Sequence, residues 1–319
     1  MTGSTIATAP RRPIRSIFIG KDGLRAGWSL LLYLLAFAIL MMIATALVHP
    51  KAGPAGAPQP LRATLIAEAA FSIAALGAAY LLAPIERRRF AAYGLQRAHA
   101  LRDALRGMAW GLALLSLLVG TMVVSGALVV DRIALSPAEA LGYGAGWLVT
   151  FCLVGLFEEF LTRGFLQYTL ARGIAGLVGA VVPRARHART IGFWVAATIL
   201  SVGLFAAGHI GNAGETVLGL ISVALAGLTF AYALYRTGSL WWAIGFHAMW
   251  DWAQSFLYGV PDSGLMMEGH LLATHPAGAT LLSGGATGPE GSVLIIPTLL
   301  LALVVIHRTL PRRATAFDA

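Results

Sequence analysis

The chain has 319 residues, 58% of them hydrophobic and only 12% charged, against roughly a quarter charged in soluble domains. That composition excludes an ordinary water-soluble enzyme and predicts an all-α, polytopic membrane bundle, since backbone in lipid must satisfy its own hydrogen bonds and the chain has no strand-like alternation. The net charge of +9 needs a partner or a topology to explain it, and the single cysteine, Cys152, excludes an intrachain disulfide.

In chain order, residues 1–27 form a basic tail carrying Arg11, Arg12, Arg15, Lys21 and Arg25. The run Trp28–Val48 contains no charge and is long enough to cross ~30 Å of hydrocarbon at 1.5 Å per residue. It is too long and begins too late for a signal peptide. Further spans are expected at 63–83, 108–130, 143–171, 191–211, 216–235, 239–258 and 292–307. These make eight spans in a membrane domain covering 28–310, followed by a short tail at 311–319. With both termini cytoplasmic, every lysine and arginine except Lys51, Arg62 and Arg132 falls on the cytoplasmic side, as the positive-inside rule requires. The charge is thereby assigned to topology and to anionic lipids on that face, not to nucleic acid. Residues 259–290 are rich in Gly and Pro and hold no Lys or Arg. They read as a disordered external connection in preference to a lid, with His270 and His275 solvated.

Ionisable side chains inside spans are costly and normally turned inward. Glu68, near the start of the second span, is read as structural or interfacial. Three local patterns carry the rest. In LFEEFLTRGF, Glu159 and Arg163 are four apart and can neutralise each other, while Glu158, about 100° round the helix, is left to face a cavity. In FAAGH, Phe205 and His209 share a face. In HAMWD, His247 and Asp251 share a face, so the carboxylate can orient or charge the ring. Each pattern alone fits a helix-packing pair. Together they direct two carboxylates and two imidazoles at a common interior.

The same segments, EEFLTR, FAAGH and RTGSLWWAIGFHAMWD, resemble the type II CAAX prenyl endopeptidases and the bacteriocin-processing and self-immunity membrane proteins, whose pattern is EExxxR, FxxxH and HxxxN or HxxxD. The resemblance covers about 143–258. It implies an intramembrane protease in a bacterial inner membrane, acting on a membrane-embedded or lipidated peptide or protein. Carried over residue by residue, Glu158 activates water with help from His209, His247 and Asp251 bind the developing oxyanion, and Glu159, Arg163 and Phe205 support them. Hydrolysis needs such a base and such donors, because water is a poor nucleophile.

Asp251 stands where much of the family has Asn, and an ionised carboxylate cannot donate to an oxyanion. It is therefore protonated, or orients His247, or helps hold a cation. In the metalloprotease alternative Glu158, His209, His247 and Asp251 become ligands of a kind zinc accepts. No HExxH motif is present, so metal-free chemistry is preferred and the cofactor is left unassigned. A shared depth for His209 and His247 requires the fifth span to start lower in the cytoplasm or to tilt, and the fourth to continue past Arg163. Two other functions use the same residues: a non-catalytic immunity or scaffold protein, and a proton-coupled transporter, which should show repeated halves that this chain lacks.

Overall fold

The computed structural model describes residues 15–20, 23–48, 57–182, 185–212 and 214–318. Most of the basic tail lies outside the described residues, as do Lys51 and Arg184. A helix occupies each stretch expected to span: α1 (Ala26–Val48), α2 (Leu61–Ile85), α3 (Ala100–Val124), α4 (Pro137–Val181), α5 (Ala188–Ala206), α6 (Val217–Thr237), α7 (Trp241–Trp252) and α8 (Ile295–Thr309). Among the described residues six, α1 to α6, are long and apolar enough to cross a membrane. α7 and α8 are shorter, although a π-helical turn at Ala253–Leu257 prolongs α7.

Local sequence explains where several helices begin and end. Ser136 and Glu139 form a capping box at the start of α4, with the Glu139 carboxylate accepting from the Ser136 amide at 2.9 Å. Thr216 caps α6 by accepting from the Gly219 amide, and Gly238, in the left-handed region at φ 68°, ends that helix.

The bundle is closed by small residues. A Cβ on Gly107 would lie 2.1 Å from the Trp242 carbonyl oxygen, one on Gly111 2.4 Å from that of Phe246, and one on Gly245 2.1 Å from that of Ala104. α3 and α7 therefore meet backbone to backbone, as small-xxx-small faces allow where no hydrophobic force drives helices together in lipid. Around that contact Leu114, Leu115, Leu118, Trp242, Phe246 and Trp250 form a buried core.

One end of the bundle is basic. There Glu86, buried at the end of α2, accepts from Arg172 of α4 at 3.3 Å and from Tyr93. The tail after α8 folds back onto this end. Arg313 pairs with Asp103 at 3.3 Å, Arg236 reaches the Leu310 carbonyl at 2.7 Å, and the Phe317 ring lies 4.6 Å from that of Phe193.

The opposite end departs from expectation. The third span stops at Val124, not at 130, because Gly126 takes φ +73° and breaks the helix. The chain then forms strand β1 (Leu128–Ile133), antiparallel to β2 (Leu272–Pro276) with an irregularity between Val130 and Arg132. The expectation of no strands thus fails where the β-branched run Val129–Val130 leaves the helix and finds a partner.

The 259–290 segment is correspondingly ordered, not disordered. The Glu268 carboxylate accepts from the Leu61 amide at 2.7 Å, capping α2 where Pro60 has no side-chain acceptor to offer. Trp147 donates to the Glu268 carbonyl at 2.8 Å. Glu290 accepts from the Ser263 amide and hydroxyl at 2.9 and 2.7 Å. His275 is solvated at 54% side-chain exposure, yet bonded to Asp131 at 2.9 Å, while His270 is half-buried. The Gly- and Pro-rich composition was misleading because the segment is held by hydrogen bonds and pairing to the bundle, not by a core of its own.

Candidate active site

Three helices bring the polar motifs together, and each carries a π-helical turn beside its motif. In α4 the turn Phe160–Leu166 follows the two glutamates and contains Arg163. In α5 the turn Ser201–Ala206 contains Phe205 and leads to His209. In α7 the turn Ala253–Leu257 follows Asp251. A π turn adds a residue to one helical turn and re-aims the side chains around it, which is why such turns concentrate at functional sites.

α4 continues unbroken for 45 residues, about 68 Å at 1.5 Å per residue, well beyond a bilayer core. Gly192, early in α5, abuts the Ala171 carbonyl, a Cβ there falling 2.4 Å away. Further along α5, Phe205 meets Arg163, whose guanidinium carbon is 4.1 Å from the ring centre. α5 therefore starts alongside the far extension of α4, on the basic side of the site. This lower start of the fifth span lets His209 reach the level of His247.

Arg163 donates to Glu159 Oε1 at 2.6 Å, with the two side chains 2% and 0% exposed. Gly227 of α6 leaves the room this needs, since a Cβ there would lie 2.7 Å from the guanidinium. Glu159 does more than neutralise Arg163. The same oxygen is 3.0 Å from His247 Nδ1, and because a carboxylate only accepts, Nδ1 carries a proton. His247 Nε2 then points at Asp251 Oδ2, 3.4 Å away, and Glu158 Oε2, 3.8 Å away. A bare ring nitrogen facing two carboxylates would set lone pair against lone pair, so this corner holds a proton on Nε2, Glu158 or Asp251. Glu158, expected to be free, thus approaches His247 while keeping a 26% exposed side chain.

Aromatic rings frame the imidazoles. Phe230 stacks on His247 at 5.5 Å, and Phe205 stands edge-on to both His247, at 6.1 Å, and His209, at 5.4 Å. His209 Nδ1 is 2.8 Å from the Phe205 carbonyl. The carbonyl can only accept, so Nδ1 bears a hydrogen, which in the uncharged tautomer makes Nε2 the acceptor.

A cavity of 430 Å³ lies against this cluster, lined by Phe205, His209, His247 and Asp251 together with Glu68, Asn212, Asp262, Ser263 and Glu290. Glu158 is not one of its lining residues. Sequence reasoning missed the second group. Glu68 carried the signal of an acid within an apolar helix, and it faces the cavity with Oε2 unpartnered. Asp262, Ser263 and Glu290 sit in the segment taken for a disordered connection. Burial pushes the Asp262 carboxyl well above the usual range, and nearby Asp251 and Glu290 push the same way.

Among the described residues no group of three or more His, Cys, Asp or Glu side chains has the arrangement of a metal site. Nδ1 of His247 is turned to Glu159 and Nδ1 of His209 to the Phe205 carbonyl, while Glu159 is bound to Arg163. The set Glu158, His209, His247 and Asp251 is not such a group.

Residues 140–253 match the family model described as Type II CAAX prenyl endopeptidase Rce1-like. This segment is similar to that family's domain. It runs from the first turns of α4 to just beyond Asp251, and so includes every residue of the three motifs but not Glu68, the 259–290 strap or α8. No curated protein and no solved structure matches the chain. The chain is thus an integral, multi-pass membrane protein with a segment similar to a family of prenyl endopeptidases.

Proposed function

We propose that the protein is an intramembrane endopeptidase that hydrolyses a peptide bond of a membrane-embedded or lipid-modified peptide or protein. The observation that carries this reading is the placement of His247 between Glu158, Glu159 and Asp251 beside the cavity that also receives His209. Of the adjacent glutamates, Glu159 is fully buried and committed to Arg163 and His247, whereas Glu158 is partly exposed and can hold a water molecule. Glu158 acts as general base with His209, whose Nε2 is the accepting nitrogen, sharing the water proton. Glu159 fixes the His247 ring by accepting from Nδ1, so that the proton held at the Nε2 corner faces the oxyanion formed when water attacks the carbonyl. Asp251 serves as the protonated donor of that corner or holds the proton on Nε2.

The basic end of the bundle is assigned to the cytoplasmic side of a bacterial inner membrane, where its arginines meet anionic headgroups. The test is the release of peptides with new termini from membranes that contain the protein. Glu158→Gln and His209→Ala should abolish release while inserting and extracting like wild type. Full biological function in Glu158→Gln, without release by either protein, would favour a scaffold or immunity role.

A further inference from the structure

A second concavity, of 830 Å³, runs along the outer surface between α6 and α8, with Trp194 and Thr198 of α5 at its side. Its walls are hydrocarbon: Leu225, Leu228, Ile296, Leu299, Leu300 and Val304. The two hydroxyls among the lining threonines add no polarity. Thr198 donates to the Trp194 carbonyl at 3.0 Å and Thr229 to that of Leu225 at 2.9 Å, each within its own helix.

One end of the groove is different. There Tyr232 and His307 bond to each other at 2.8 Å, and Arg308, on the last turn of α8, completes the lining. Neighbouring arginines at this end are committed to protein: Arg236 to the Leu310 carbonyl, Arg312 to Asp318, Arg313 to Asp103. Arg308 has no hydrogen bond or ion pair to protein among the described residues. An apolar trough closed at its basic end by an uncommitted guanidinium has the chemistry of a phospholipid, chain in the trough and phosphate at the cation.

We propose that this groove binds one anionic phospholipid, an acyl chain lying between α6 and α8 and the phosphate at Arg308. The site is independent of the proteolytic reading, and its α8 wall, with Arg308, lies outside the Rce1-like segment. It also touches the candidate active site, because Thr229 and Leu299 line both this groove and the cavity that holds His209 and His247. The lipid chain thus backs two residues of the cavity wall.

Trp194 provides a reporter. The full-length protein is placed in phosphatidylcholine nanodiscs doped with either phosphatidylglycerol or phosphatidylcholine brominated on the acyl chain, and the Trp194 signal is taken as wild type minus Trp194→Phe. Quenching should saturate at about fivefold lower mole fraction of the brominated phosphatidylglycerol, the preference one arginine gives near a membrane surface. Arg308→Gln should remove that preference and Arg308→Lys keep it. In wild type, raising the salt should narrow it, which serves if the Gln variant does not fold. Equal quenching by the two lipids, insensitive to Arg308→Gln and to salt, would mean bulk bilayer contact only and overturn the proposal. So would a Trp194 signal shielded from both lipids and quenched only by a brominated chain attached to a peptide, which would give the groove to substrate.

Discussion

α7 has two working faces, and they are built from opposite materials. Toward α3 it presents Gly245, which admits the Ala104 carbonyl to within 2.1 Å of where a Cβ would sit. Toward α4 and α5 it presents His247 and Asp251, whose neighbours are carboxylates and aromatic rings. The face toward α3 meets it backbone to backbone, so its fit depends on shape. The polar face tolerates no unpaired charge, so its fit depends on every partner being in place. The close glycine contact fixes the height and rotation of α7, and that placement puts His247 3.0 Å from Glu159. Position comes from the one face, chemistry from the other.

The largest effect is expected on the shape-dependent face. Gly245→Val places carbon where the α3 backbone runs, and neither backbone can yield without separating the helices. Folded protein should all but vanish from detergent extracts judged by size-exclusion chromatography, and a normal yield would show that the contact is not needed to seat α7.

Next comes the buried ion pair. Glu159→Gln leaves Arg163, 2% exposed, without its countercharge at 2.6 Å, and no other carboxylate pairs with it among the described residues. Breaking such a pair costs about 3 to 5 kcal/mol, so thermal denaturation in detergent should report a large loss of stability. Little change would indicate that Arg163 finds a new acceptor.

Asp251→Asn should affect stability less and report on mechanism. An amide donates to an oxyanion without first being protonated, so turnover should hold or rise, and it should survive a strong chelator. Loss of a stoichiometric metal together with activity, read by elemental analysis, would reverse the preference for metal-free chemistry.

How much of this contrast was legible beforehand follows from the same physics. The helices, their order and the three polar motifs could be read because length, hydropathy and i,i+4 spacing are local properties of sequence. The pairing of Glu159 with Arg163 was legible for that reason, and its second bond, to His247, was not, because it joins residues 88 apart in the chain. Glu68 was misread because an acid near a helix end fits an interfacial anchor equally well, and only the assembled bundle turns it toward the cavity. The strap at 259–290 was misread because its order rests on distant partners such as Leu61 and Trp147.

The smallest effect concerns the docked tail. Slight burial would raise the Asp318 carboxyl, but the Thr315 amide and hydroxyl and Arg312 outweigh it and hold the group below the usual carboxylate range. A depressed folded value means that its contribution is complete above the ordinary carboxylate range, about pH 4, and is lost as pH falls through the lowered value. A fluorine label on Phe317 should keep its docked resonance near neutrality and lose it only under strong acid. Undocking well above pH 5 would place the anchor elsewhere.

The division of labour between the two adjacent glutamates is the most direct test of the account. In water enriched in oxygen-18, wild-type protein should release a peptide with one labelled oxygen in its new carboxylate. Measured per folded molecule by mass spectrometry, Glu158→Gln should give none, whereas the surviving folded fraction of Glu159→Gln should retain some. Labelled product from Glu158→Gln at the wild-type rate, with none from folded Glu159→Gln, would contradict the account and make Glu159 the residue that activates water.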